Sequence, residues 1–210
     1  MRFLSTTKSW GSWWARRKID WKKSYSDTWT HPHRTLIVNV LKNLKWLSLF
    51  EVGCGSAPNI RRIIEDFPNV QLGGSDVNPE AIALASKTFT GGLFKVGSSD
   101  DVMLSDKSTD ICLSDMSLIY VSPRDIDRYV REMKRVARNY VILCEFHSNS
   151  WWDRFMLKMK EGYFAYDWDK VLTRNGFCDI MKYRMTKQNW PESNLQQTFG
   201  HIILARVPKR

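Results

Sequence analysis

Residues 49–64 read LFEVGCGSAPNIRRII, and the fold turns on them. An apolar run is followed by two glycines one residue apart, a proline, and apolar residues at helical spacing. A strand that stops and feeds a helix within a few residues needs positive φ or a close backbone approach, and glycine permits both. Gly53 and Gly55 supply this. Pro58, with no N–H to lose, presets the first helical turn. The turn then gathers backbone N–H groups at a helix N-terminus, facing whatever lies against it. Ala57 stands where a third glycine would be expected.

Outward from this turn the pattern alternates. Strands are expected at 46–53, 70–77, 92–98, 109–116, 139–146, 178–185 and 200–207. Between them, helices are expected from about 58 to 66, at 79–89 with Pro79 in the first turn, at 123–137, and at 167–177 ending at Gly176. In the third of these, Ile126, Tyr129, Val130, Met133 and Val136 share one stripe. A further helix at 35–45 leads into the first strand. Such alternation implies parallel strands with right-handed crossovers, a doubly wound α/β sheet. Ligands bind such sheets at the carboxyl ends of the strands, where the order reverses.

The chain has 210 residues, one domain's worth, and no run approaches the roughly 18 apolar residues of a membrane span. The N-terminus has no apolar h-region before its arginines, so a cytoplasmic protein is expected. Cys54, Cys112, Cys144 and Cys178 are far apart and sit in or beside apolar runs, which favours buried reduced thiols over a metal site or disulfides. The net charge of +10 is uneven: residues 1–46 carry +8, 47–150 carry −3 and 151–210 carry +5. Six of the ten tryptophans lie in the first segment.

Two acids sharpen the reading. Glu51 lies near the end of a strand that otherwise reads as buried, where a free carboxylate is costly unless a cation or donor meets it. Asp76 ends the second strand, about twenty-five residues on, where an acid can accept both ribose hydroxyls. A site that takes a ribose and a cation, with no demand for pyrophosphate, suits S-adenosylmethionine (SAM). A nicotinamide-binding domain is disfavoured because Glu51 would crowd a pyrophosphate.

The stretch EVGCGSA, followed by SDVNPEAI and then TDICLSDMSLIYV, resembles the class I SAM-dependent methyltransferase family over roughly residues 46–207. The resemblance implies a mostly parallel seven-stranded sheet with helices on both faces, an antiparallel last strand, SAM as cofactor and S-adenosylhomocysteine (SAH) as product. Glu51, Gly53, Cys54 and Gly55 match the first motif, which contacts the methionine part. Asp76 matches the ribose-binding acid, and Val77 the apolar residue beside adenine. Ser98, Ser99 and Asp100 fall where the family grips the adenine edge. Gly-Asp-small is usual there, so either Ser98 replaces the acid or a shifted loop lets Asp100 serve. Ser114, Asp115 and Met116 match the end of the fourth strand, which lines the cofactor pocket. Ala57 adds one methyl to a position that usually eases helix–strand packing, and binding should survive it.

Methyl transfer from a sulfonium needs in-line positioning more than acid–base chemistry, and a base matters only when the nucleophile arrives protonated. His147 follows the fifth strand, with Glu145 on the same face. His147 is either a base oriented by that carboxylate or a loop cap, with Glu145 paired elsewhere. Tyr120 either lines an acceptor pocket or packs in the core. THPHRT (30–35) either starts a helix with solvated imidazoles or brings His33 or Arg34 to the SAM carboxylate or the substrate. His147, Tyr120 and His33 are thus the catalytic candidates, and no metal ligand set stands out.

Residues 1–45 are expected to form a basic, Trp-rich helical arm, and residues 46–210 the SAM-binding domain. Trp10, Trp14 and Trp21 fall at i, i+4 and i+11, which favours a lid or membrane contact, with the lid preferred. An anionic membrane surface or nucleic acid are the other readings of this segment. A second aromatic, basic stretch, 150–168, lies on the acceptor side. The favoured function is methyl transfer to a small or medium-sized acceptor; an RNA methyltransferase using the basic arm and a non-catalytic SAM-binding module are the alternatives.

Overall fold

The computed structural model describes residues 6–208; the first five residues of the arm and the last two of the domain lie outside the described residues. Seven strands form one sheet: β1 (Ser48–Val52), β2 (Gln71–Asp76), β3 (Leu93–Val96), β4 (Thr109–Asp115), β5 (Ala137–Phe146), β6 (Cys178–Arg184) and β7 (Gly200–Arg206). Their order is β3-β2-β1-β4-β5-β7-β6. β1 pairs in parallel with both β2 and β4, and β7 runs antiparallel to both β5 and β6. The order therefore reverses between β1 and β4, and a cleft opens at their carboxyl ends.

The nine α-helices among the described residues are α1 (Thr7–Ala15), α2 (Trp21–Ser24), α3 (Pro32–Lys42), α4 (Pro58–Asp66), α5 (Pro79–Thr88), α6 (Ile126–Val136), α7 (Trp151–Glu161), α8 (Trp168–Arg174) and α9 (Asn194–Phe199). Their starts follow local chemistry. Pro58 and Pro79 occupy first turns, and the Asn78 side chain accepts from Glu80 and Ala81 N–H to cap α5. Ser150 caps α7 in the same way, and Gly162, at φ 78°, ends it. All five stripe residues of α6 are buried.

Strand alternation divides the core in two. Phe50, Val52, Cys112, Val141 and Leu143 pack with α6 and α8 on one face. Leu49, Ile111, Leu113, Ile142 and Cys144 pack with α3 and α4 on the other. Two helices lie where the sequence pattern assigned no element. The 150–168 stretch contains a full helix, α7, and the connection 186–199 contains α9. Aromatic and polar residues broke the apolar period there, while end-capping by Ser150 and Gly162 defined α7 regardless.

Candidate functional site

The turn after β1 winds through alternating left-handed residues. Gly53, Gly55 and Ala57 have φ of 71°, 53° and 64°. Gly53 N–H donates to Ser75 O at 2.7 Å, and a Cβ on Gly53 would collide with the Ser117 side chain. Ala57 thus occupies a backbone conformation that glycine adopts freely and alanine does not. Helix–strand packing is only part of what a third glycine would offer here.

Asp76 is held by this turn. Its Oδ2 accepts from Gly55 N–H at 2.9 Å and its Oδ1 from Asn78 N–H at 2.9 Å. Each carboxylate oxygen keeps a further lone pair for an incoming hydroxyl. Burial nevertheless pushes its pKa up. Glu51 is buried; its Oε1 accepts from Asn59 Nδ2 at 2.6 Å, and its Oε2 has no partner. Burial, followed by the nearby Asp115 and Asp76 charges, outweighs the help of Asn59 and Arg34, and pushes Glu51 up to about 8.

A polar network forms the floor at the end of β4. Asp115 Oδ2 lies 2.9 Å from His33 Nε2, 2.9 Å from Asn59 Nδ2 and 3.3 Å from Arg34 Nη1. Burial pushes the Asp115 carboxyl up, but His33 and Arg34 outweigh it and hold the group well below the usual carboxylate range. Burial lowers the His33 pKa. His33, Asp115 and Cys144 each bring a potential ligand atom within 4.8 Å of the others. The Arg34 guanidinium among them would repel a divalent ion, so the cluster is an ion-paired network.

The arm forms the roof. Thr7 Oγ1 donates to Asp125 Oδ2 at 2.5 Å, and Asn78 Nδ2 donates to Trp14 O and Arg17 O at 2.8 and 2.9 Å. Trp21 lies over Gly55, beside Tyr25 at 5.2 Å between ring centroids. Trp14 meets Tyr120 at 5.5 Å, and Tyr120 meets Tyr163 at 5.6 Å. The Nε1 atoms of Trp14 and Trp21 are buried without a protein partner.

Floor and roof enclose a cavity of about 520 Å³. Of the residues singled out in the sequence, Glu51, Gly53, Cys54, Gly55, Asp76, Val77, Ser98, Ser99, Asp115 and Met116 line it, as do His33 and Tyr120. Three do not. Ser114 is fully buried and donates to Glu145 Oε1 at 2.7 Å. Asp100 turns to Arg128 at 2.7 Å and accepts from Ser98 Oγ.

His147 is the third. Its Nδ1 accepts from Trp168 N–H at 3.2 Å, and Lys182 Nζ sits 3.3 Å from its Nε2. Burial and then Lys182 lower its pKa to about 4. Glu145 does not orient it. That carboxylate accepts from Ser114 Oγ and from the N–H groups of Ser117, Leu118 and Ile119, fixing the short 3-10 turn Leu118–Tyr120. Sequence reasoning also passed over Asn59, Asn78, Trp190, Glu192 and Gln196. An indole and an acid in the otherwise polar connection 186–199 were the available signal for Trp190 and Glu192.

A doubly wound α/β sheet with its cavity at the switch point and a glycine turn against an acid defines the class of the molecule. Residues 49–139 match the family model described as a methyltransferase domain. That match and the fold together support a class I SAM-dependent methyltransferase. Among solved structures, it is similar to magnesium protoporphyrin IX methyltransferase from Synechocystis PCC 6803 with bound SAM, at 15% identity and a TM-score of 0.64, covering 95% of this chain and 89% of that one. A SAM-dependent methyltransferase from Methanosarcina mazei is 20% identical, with a TM-score of 0.62 over 82% of this chain and 98% of that one. A putative methyltransferase from Haloferax volcanii, in complex with a methyltransferase activator, is 15% identical, with a TM-score of 0.67 over 95% and 97%. No curated protein matches the sequence.

Proposed function

We propose that the protein transfers a methyl group from SAM to a small or medium-sized acceptor enclosed beneath the N-terminal arm. The observation that carries this is the set of unmet polar atoms around one cavity. Glu51 Oε2 is a buried acceptor without a donor, and the Trp14 and Trp21 indoles are buried donors without an acceptor. A ligand with an ammonium group at one end and hydrogen-bond acceptors elsewhere meets both needs. Asp76 retains lone pairs for ribose hydroxyls, Val77 and Ser99 border an adenine position, and the left-handed turn at Gly53 and Gly55 admits the methionine part closely.

SAM supplies an electrophilic methyl carbon when bound. The chain's part is to hold the acceptor in line, which by itself is worth roughly 7–11 kcal/mol. Met116, Ile119, Phe146 and Tyr163 give the acceptor side an apolar wall, and His31, Glu192 and Gln196 give it polar atoms. His33 and Tyr120 are the catalytic or positioning candidates that reach this space. Residues 6–45 act as the lid.

Calorimetric titration with SAM and SAH, alongside Asp76→Ala, tests the cofactor assignment. Micromolar binding that falls by about 30-fold or more in the variant supports it, in line with roughly 2 kcal/mol for two lost hydrogen bonds. A folded wild type that binds neither nucleoside refutes it. Labelled SAM with a panel of amines, phenols, carboxylic acids and thioethers then searches for the acceptor.

The arm's exposed residues Lys8, Arg16, Lys18, Lys22 and Lys23 favour a second reading, in which the acceptor sits on RNA held by that face. It predicts RNA affinity that falls steeply between 50 and 200 mM salt. The burial of the Trp21 ring in the roof removes it from base stacking and weighs against this reading.

A further inference from the structure

Asp115, His33, His31 and Glu192 form an unbroken line of hydrogen-bonding atoms along the cavity wall. Glu192 Oε2 lies 3.0 Å from His31 Nε2, His31 Nδ1 lies 2.5 Å from His33 Nδ1, and His33 Nε2 lies 2.9 Å from Asp115 Oδ2. All four residues line the cavity. The ends differ: the Asp115 side chain is 8% exposed, and that of Glu192 is 61%. Trp190 covers the middle, its ring centroid 4.2 Å from that of His33 and 4.8 Å from that of His31.

Each of the three gaps joins two atoms that bear lone pairs, so each closes only with a proton in it. Two neutral imidazoles bring two protons. The surroundings indicate which gap lacks one. His33 N–H approaches His31 Nδ1 at 3.4 Å, which makes that atom an acceptor. His31 then carries its proton on Nε2, toward Glu192, and His33 Nδ1–H fills the middle gap. The vacant gap is the innermost, between His33 Nε2 and Asp115 Oδ2. Arg34 Nη1, which donates to Asn59 Oδ1 at 2.6 Å, also lies 3.1 and 3.3 Å from these two atoms and has one N–H left to share between them.

We infer that this line is a proton wire that takes up, at its buried end, the proton an acceptor loses on methylation and releases it to solvent at Glu192. The inference rests on the methyl-transfer reading and narrows it to acceptors whose reacting oxygen or nitrogen carries a hydrogen. With such an acceptor, the X–H electron pair forms the X–CH3 bond, the S–CH3 pair returns to sulfur, and one proton is left over. It enters the gap between Asp115 and His33, the bonds shift outward through His31, and Glu192 passes a proton to water. A thioether or tertiary amine releases no proton and has no use for the wire.

The groups facing the wire suit transient rather than permanent protonation. Arg34 and the positive N-terminus of α3 oppose a third proton. The Asp115 carboxylate and Glu192 favour it, while Glu51 from β1, protonated below about pH 8, Asn59 from α4 and Cys144 from β5 are neutral neighbours.

Nitrogen-15 histidine spectra of the labelled protein, with and without SAH, test the wire. Near neutral pH, His31 should carry its proton on Nε2 and His33 on Nδ1. Glu192→Gln keeps an acceptor for His31 but cannot take the proton. It should lower the protonation midpoint of His33, although Glu192 hydrogen-bonds only His31. A His33 midpoint that stays put in this variant, or a His33 found with its proton on Nε2, overturns the inference. So does an acceptor screen that yields methylation only at a thioether or tertiary amine. Calorimetry with SAH on the same samples tests the cofactor separately, and failure there leaves the histidine readout intact.

Discussion

At the scale of single residues, the cavity holds groups in costly states. Ala57, at φ 64°, bears roughly 1–2 kcal/mol of left-handed strain. Ala57→Gly should relieve this but lose a buried methyl worth about 0.8 kcal/mol, leaving stability within about 1 kcal/mol of wild type. Ala57→Val adds a β-branched side chain to the same conformation and should cost about 2–3 kcal/mol in urea unfolding. Glu51 is the second case. Its pKa rises from an ordinary 4.5 to about 8 in the folded chain. A raised acid is protonated in the native state over a range where the unfolded chain is ionised. Its contribution is therefore full below about pH 4.5 and is lost as pH rises through 8. Glu145, raised to about 7, slopes the same way, so the difference between wild type and Glu51→Gln isolates Glu51. That variant should match wild type at acid pH and melt higher at pH 8. By the same logic, binding of a cationic ligand near pH 7 should release a proton, read by calorimetry in two buffers of different ionisation enthalpy.

At the scale of elements, two short segments depend on single side chains. The 3-10 turn Leu118–Tyr120 places Ile119 and Tyr120 on the cavity wall, and Glu145 accepts three N–H groups at that turn. Glu145→Ala leaves these donors unmet at about 1 kcal/mol or more each. It should destabilise by about 3 kcal/mol and loosen the acceptor wall. α1 depends on Asn78, which caps α5 and also donates to Trp14 O and Arg17 O. Asn78→Ala should cost about 1 kcal/mol for the cap and free the arm. The readout is faster tryptic cleavage at Arg16, Arg17 and Lys18, with SAH slowing cleavage of wild type more than of the variant.

At the scale of the molecule, arm and sheet close on one cavity, so a ligand that fits it should stabilise the whole fold. SAH at 100 times its dissociation constant adds about 2.7 kcal/mol, and for a chain of this size that raises Tm by roughly 5–10 °C. An unchanged Tm at saturating SAH would contradict the cofactor assignment. The surface charge acts separately. Glu51 is buried and Asp76 partly so; if they meet SAM, its affinity should hardly change with salt, whereas any binding through the exposed arm lysines should weaken.

The periodicity of apolar residues was enough to reveal seven strands, the helices α3 to α6 and α8 and the stripe of α6, because each of these buries a face whose spacing is written locally. Gly53 and Gly55 were equally plain, since positive φ restricts the choice of residue, and Asp76, proposed for ribose, lies hydrogen-bonded to that turn. His147 and Glu145 show where local reading ends. Two residues on one strand face look like a base and its partner, but their hydrogen bonds go to Trp168 and to the turn after β4, distant in sequence. The line from Asp115 to Glu192 is a product of packing too. It joins β4, the start of α3 and the connection before α9, segments up to 161 residues apart, and no local pattern records which lone pairs the folded chain sets face to face.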